Sequence, residues 1–292
     1  MRVVVFGATG FVGGALLPVV AQEHDVVAVS RRPHEAQQGV TWAVADVTDA
    51  PAVRRALEGA DVAYYLVHSL GSADFEERDV AGAETVAREA EAAGVRQLVY
   101  LGGFGKEGED LSSHLRSRLE TGRALASGAV PLTTLRAAVV VGKGSAAFET
   151  IVALVDRLPA MVAPRWVSTP TQPIALRDTV RYLAAVAGRE ETFGETYDLG
   201  GPEVMTYREM IERVARLRGK RRVIVEVPVL TPFLSSLWLH LVTPVGASVA
   251  RPLVEGLRNP TVAQDTRIRD LVPFPPTPFD EAAREALGMV GW

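Results

Sequence analysis

The chain opens with a short apolar run, Val3-Val4-Val5-Phe6, followed by glycines at Gly7, Gly10 and Gly13. The run is apolar without alternation, as expected of a strand buried on both faces of a parallel sheet. A helical pattern begins at Phe11. Each glycine then has a job. Gly7 permits a sharp turn, Gly10 lets backbone approach a diphosphate with no Cβ between them, and Gly13 lets the helix pack close to the strand. Free N–H groups in the first helical turn face the phosphates. A glycine triplet alone marks only a tight turn. Placed directly after a strand and opening a helix, it points to a dinucleotide held by Gly7, Thr9, Gly10, Phe11, Val12 and Gly13.

The next elements refine that expectation. A helix is expected from Phe11 to about Gln22, with Pro18 as a local irregularity, and a second strand from Val26 to Ser30. A site selective for NAD usually carries an acid about 20 residues past the glycines, where it binds the ribose hydroxyls. This chain carries Arg31-Arg32 instead. Two guanidiniums suit a 2′-phosphate, because each offers a planar fork of donors. The expected cofactor is therefore NADP. NAD is the alternative, with both arginines then solvated loop cations.

A third strand from Val40 to Ala45 ends at Asp46-Val47, and a fourth from Asp61 to Val67 ends at His68. Ligands in open α/β sheets sit beyond the strand ends, which makes Leu66, Val67 and His68 cofactor-proximal candidates. His68 reads equally as a plain loop histidine. A long helix spans Phe75 to Ala93, and its acids, Glu76, Glu77, Asp79, Glu84, Glu89 and Glu91, read as a solvated face. A fifth strand runs from Arg96 to Leu101. The resulting order of strands and helices implies an α/β fold with a doubly wound parallel sheet. The expected division is a dinucleotide-binding domain over 1–145 and a substrate-side region over 146–292, with a strand near 195–199 returning to the first sheet.

The stretch Gly7-Ala-Thr-Gly10-Phe-Val-Gly13 resembles the phosphate loop of extended and atypical short-chain dehydrogenases/reductases. Further stretches resemble the NmrA-like, complex I subunit-like and bacterial YbjT-like branch. They are Ala63-Tyr-Tyr-Leu-Val-His-Ser69, Tyr100-Leu-Gly-Gly103, His114-Leu-Arg-Ser-Arg118, Pro164-Arg-Trp166, Gln172-Pro-Ile174 and Gly200-Gly-Pro-Glu-Val204. The resemblance implies that Asp46 and Val47 flank an adenine; from the residues alone, Asp46 is also a turn or cap before Thr48-Asp49.

Active members of that superfamily show a Ser after the fifth strand, then a Tyr and a Lys four positions apart on the next helix. Here the Ser place is glycine (Gly102-Gly103), His114 falls at the Tyr place and Arg118 at the Lys place. Positions four apart share a helix face. Arg118 keeps the ribose-holding and charge roles but stays protonated and cannot act as a base. His114 exchanges a proton near neutral pH; the alternative is a plain first-turn residue behind a capping Ser112 or Ser113. Two functions follow. One is an NADPH-dependent reductase of a hydrophobic carbonyl or quinone-like substrate. The other is a non-catalytic NADP(H)-binding sensor or assembly factor.

Composition narrows the classes. A formal net charge of −4 over 292 residues gives no reason to expect nucleic acid. There is no cysteine, so disulfide and thiol chemistry are excluded. The five histidines show no paired ligand spacing, and no metal is expected. The first strand begins at once, which suggests no signal peptide and a cytoplasmic chain.

The remaining half is expected to carry a sixth strand over Pro131–Val141, a helix over Phe148–Leu158 and a helix from Thr179 capped by Asp178. A capping box is expected at Thr206-Tyr-Arg-Glu209. Arg165 and Trp166 are either substrate contacts or a loop with a packing Trp. The segment from Pro228 to Ala250 is apolar, with His240 its one potentially charged residue, but Pro232 and Pro244 interrupt it. It reads first as a buried helix pair, next as a greasy lid, and third as a patch touching a membrane or partner, a reading to which the upstream cluster Arg216, Arg218, Lys220, Arg221 and Arg222 adds a little weight.

Overall fold

The computed structural model describes residues 1–35, 39–68, 75–105, 111–227 and 259–291. The apolar segment 228–250, Ser69 and the side chains of Arg165 and Trp166 lie outside the described residues.

In chain order the nucleotide half contains β1 (Arg2–Phe6), α1 (Phe11–Val20), β2 (Asp25–Ser30), β3 (Val40–Val44), α2 (Ala50–Leu57), β4 (Val62–Tyr65), α3 (Phe75–Ala93), β5 (Gln97–Gly103), α4 (Ser113–Leu125) and β6 (Leu132–Ala137). The second half contains β7 (Val140–Val141), α5 (Ala146–Arg157), β8 (Ala160–Pro164), β9 (Pro170–Thr171), β10 (Ile174–Ala175), α6 (Leu176–Ala185), β11 (Thr196–Leu199), β12 (Met205–Thr206), α7 (Tyr207–Leu217) and β13 (Val223–Val227). Two further helices, Ile268–Leu271 and Phe279–Ala286, follow.

Seven strands form one sheet in the order β11-β6-β5-β4-β1-β2-β3. Every pairing in it is parallel. This is the expected doubly wound α/β sheet, and β11 is the returning strand. The chain winds one way from β1 to β3 and the other way from β4, so the crevice between the ends of β1 and β4 is where such sheets bind ligands.

The two faces of β1 explain its unbroken apolar run. Val3 and Val5 belong to a core shared with α1 and α6, while Val4 and Phe6 belong to one shared with α2, α3 and α4. A third core, built from α5, α7 and the helix Phe279–Ala286, lies in the second half.

Two sheet tyrosines tie helices to strands. The buried Tyr65 hydroxyl donates to the Asp79 carbonyl in α3 at 3.3 Å, and the Tyr100 hydroxyl donates to the Arg118 carbonyl in α4 at 2.9 Å. Gly82 lets α3 lie close, since a Cβ there would sit 2.6 Å from Val47 Cγ2 and 2.9 Å from the Tyr65 hydroxyl.

Some local expectations need correction. The expected sixth strand is two, β6 and β7, which join different sheets. Asp178 does not cap α6. The cap position is Ala175, and Asp178 lies in the first turn. There its carboxylate accepts from the Thr277 amide at 2.7 Å and the Thr277 hydroxyl at 2.9 Å, fastening the C-terminal segment to α6. The capping box at Thr206 and Glu209 is present.

Asp178 is 3% exposed. Asp178→Ala leaves the Thr277 amide without its buried acceptor, a loss of about 1–3 kcal/mol. Urea unfolding is expected to show a lower midpoint with an unchanged slope; an unmoved midpoint contradicts the anchoring role.

Candidate nucleotide site and histidine pair

The turn after β1 is built by close backbone approaches. Gly7 has φ +83°, and a Cβ on it would sit 2.6 Å from the Leu66 carbonyl oxygen. A Cβ on Gly13 would sit 2.2 Å from the Gly7 carbonyl oxygen, well inside any real contact. A Cβ on Gly10 would sit 3.1 Å from the same oxygen. Helix α1 starts at Gly10 with no side-chain cap and no acid in its first turn. Its N-terminal amides therefore keep the partial positive charge that attracts phosphate.

A cavity of about 440 Å³ opens beside this turn. Its wall includes Gly7, Thr9 and Gly10 from the turn, Arg31 after β2, Asp46 and Val47 after β3, and Leu66, Val67 and His68 after β4. Sequence reasoning named all nine. It missed Ser30, Thr48 and Arg78, which also line the cavity. The Arg78 side chain reaches back from the first turns of α3 to within 3.7 Å of Asp46. Nothing in the local pattern separates it from other exposed helix cations.

Asp46 makes the expected turn and also faces the cavity. It lines the cavity, and it accepts from the Thr48 amide at 3.0 Å and the Thr48 hydroxyl at 2.8 Å. The backbone bond from Thr48 leads in holding its carboxyl below the ordinary value, with Arg78 and Arg31 adding charge. Cap duty for α2 falls to Asp49.

The other candidates stand outside the cavity wall. Phe11 packs toward Gly142 and Gly144, whose Cβ atoms would come within 3.0 Å and 3.5 Å of its ring. Val12 packs against the core beneath α1. Arg32 is exposed, with its backbone amide on the Ser30 hydroxyl at 3.2 Å. Arg118 donates to the Leu101 carbonyl, and its guanidinium lies 4.9 Å from the centroid of the Tyr100 ring.

His114 is in the first turn of α4, behind Ser112 as N-cap. It does not stand alone. His68 Nε2 lies 3.2 Å from His114 Nδ1, and His68 Nδ1 lies 2.8 Å from Asp79 Oδ2. Asp79 is 1% exposed, so it is not part of a solvated face, and neither is Glu89, which is 2% exposed and paired with Arg54 at 2.7 Å. Burial lowers the pKa of His68, opposed by its bond to Asp79. Burial, with His68 and Arg118 adding positive charge, pushes His114 down to about 3.

Among the described residues no cluster of His, Asp and Glu fits a metal ion, and no helix is long and apolar enough to cross a membrane.

A family model described as NAD(P)H-binding matches residues 7–130, the stretch that holds the turn, the cavity wall and the histidine pair. A protein of Streptomyces griseus subsp. griseus, named (4-alkanoyl-5-oxo-2,5-dihydrofuran-3-yl)methyl phosphate reductase, is 27% identical over 222 residues, covering 75% of this chain and 74% of that one. An NADPH-dependent quinone oxidoreductase of Escherichia coli, solved with NADPH, matches with TM-score 0.78 at 20% identity, over 98% of this chain and all of that one. A triphenylmethane reductase of Citrobacter sp., solved with NADP(H), gives the same TM-score, identity and coverage. This chain shares the fold of these solved structures. The fold implied by the resemblance to atypical short-chain dehydrogenases/reductases is borne out.

The depressed pKa of His114 makes stability depend on pH. Its ordinary value of 6.5 applies to the unfolded chain, and the folded value is about 3. The folded state thus binds fewer protons, and stability present above pH 6.5 is lost as pH falls toward the folded value. Urea midpoints between pH 7.5 and 5 are expected to fall for the wild type and to fall less for His114→Gln. Parallel declines contradict a His114 kept neutral by the fold.

Proposed function

We propose that the protein is an NADP(H)-dependent reductase of a hydrophobic carbonyl or quinone-like substrate. The carrying observation is the layout of one cavity. A glycine turn and an uncapped helix start stand on one side, Arg31 beyond β2, and His68, bonded to His114, beyond β4. The cradle fits the cofactor, because a Cβ at any of the three glycines would crowd the turn that forms it. Gly7, Thr9 and Gly10, with the amides of Phe11, Val12 and Gly13, hold the diphosphate. Arg31, with Arg32 beside it, takes the 2′-phosphate, and Asp46 and Val47 flank the adenine. Arg118 leaves the Leu101 carbonyl to hold the nicotinamide ribose.

The nicotinamide supplies hydride when bound. Leu66 and Val67 exclude water on its side of the crevice, and His114 supplies the proton that the reduced oxygen takes up. The reductase name of the Streptomyces relative and the NADPH complexes among structures of the same fold support this reading. One observation favours a non-catalytic NADP(H) sensor or assembly factor instead: Gly102 and Gly103 leave no hydroxyl at the end of β5. We place the protein in the cytoplasm, with contact at the inner membrane face through segment 228–250 as the alternative, and read 1–145 as the binding domain and 146–292 as the substrate side.

One titration and one assay test the proposal. NADPH is expected to bind about 10–100-fold tighter than NADH, as one charge-assisted contact allows, and Arg31→Ala should erase the difference. Equal wild-type affinities overturn the phosphate assignment. Across a panel of apolar aldehydes, ketones and quinones, slow NADPH oxidation is expected, falling about 100-fold or more in His114→Ala. No turnover on any of them leaves the sensor reading in place.

A further inference from the structure

Resting on the reductase reading, we propose that Asp79, His68 and His114 form a proton relay. His68 stores a proton against Asp79 and passes it to His114, which delivers it from Nε2 to the substrate oxygen. The geometry is a chain of three side chains from three elements: α3, the loop after β4, and α4. Both ring nitrogens of His68 are engaged, Nδ1 with Asp79 at 2.8 Å and Nε2 with His114 at 3.2 Å. His68 therefore has no hydrogen left for a substrate, although it lines the cofactor cavity. Among the described residues no group bonds His114 Nε2, and the residue is partly exposed.

Bond order along the chain fixes the tautomers. An ionised Asp79 accepts only, so His68 carries its hydrogen on Nδ1. When the pair is neutral, His68 Nε2 accepts from His114 Nδ1–H, and His114 Nε2 is a bare lone pair. When the pair holds one extra proton, His68 is an imidazolium beside Asp79. Its Nε2–H then donates to His114 Nδ1, and His114 carries its hydrogen on Nε2.

Delivery moves the pair from the second state to the first. A carbonyl carbon gains hydride from NADPH, the C=O π bond breaks onto oxygen, and the alkoxide takes the proton from His114 Nε2. His114 Nδ1 takes the proton of His68 Nε2. The products are alcohol, NADP⁺ and a neutral pair, which one proton from water recharges. Run backwards, the neutral pair is the base for alcohol oxidation.

Asp79 is a positioning residue here. It faces His68 from α3, at 1% exposure, and favours the charged imidazole, while Arg118 on α4 disfavours that charge and His114 faces His68 from the same helix. The hydroxyls of Tyr65 and Tyr100 stand behind them on the sheet, held protonated by burial. Burial lowers both imidazoles, so the neutral pair dominates at pH 7 and reduction speeds up as pH falls.

The test reads the imidazoles directly, by nitrogen-15 spectra of the full chain without cofactor, assigned with His68→Gln and His114→Gln. Above pH 7 both rings are expected to carry the hydrogen on Nδ1. On acidification both are expected to shift with one common midpoint, and Asp79→Asn, which keeps the shape and removes the charge, should move that midpoint down. In the assay with NADPH, Asp79→Asn should shift the kcat profile to lower pH by about one unit with KM unchanged. His68→Gln should cost about 10–100-fold in kcat and remove the limb. Independent midpoints, or a neutral His114 with its hydrogen on Nε2, overturn the relay. Coupled rings in a chain that reduces nothing would refute the reductase reading alone, and uncoupled rings in an active reductase would refute the relay alone.

Discussion

The contact on which the rest depends is the approach of α1 to the end of β1. The Gly7 carbonyl sits where a Cβ on Gly13 would be only 2.2 Å away, so only a bare backbone lets the helix start there. That start sets the direction of the uncapped amides at Phe11, Val12 and Gly13. The same Gly7 turn presses against the Leu66 carbonyl, which fixes the end of β4 beside the end of β1. The crevice at the reversal of strand order follows from these two approaches.

The chemistry is assembled one layer further out. Tyr65 and Tyr100, adjacent in the sheet as the register pair Tyr65 and Tyr100 of β4 and β5, each bind a helix carbonyl. One pins α3 at Asp79 and the other pins α4 at Arg118. With both helices fixed to neighbouring strands, Asp79 and His114 meet His68 between them. His114 is thereby given a half-buried imidazole partner and, through it, a buried anion that a lone helix position would lack.

The sheet was legible because its signals are local. Unbroken apolar strands, glycines at strand ends and the capping box at Thr206 each act within a few residues. Much of the cavity wall followed from the glycine turn and the strand ends, with Asp46 and Val47 supplied by the family resemblance. Asp79 and Arg78 did not, because they are two of many charges on α3, and only tertiary packing shows that Asp79 turns inward. The expected strand over Pro131–Val141 looked continuous since Ala137 to Val141 are all apolar, yet β6 and β7 pair with different partners. Asp178 has the sequence signature of a cap, but it lies inside the first turn and its acceptor oxygens are claimed by Thr277, 99 residues away. Long-range polar pairs carry no periodicity, so sequence pattern does not reveal them.

The central claim is that the amides after Gly7 hold a dinucleotide diphosphate. A crystal of the protein grown with NADPH tests it most directly. Density for the diphosphate over the Gly7–Gly13 turn, with the adenine between Asp46 and Arg78, is the expected result. The nucleotide bound elsewhere, or a turn filled by the protein's own side chains at saturating NADPH, would contradict the account.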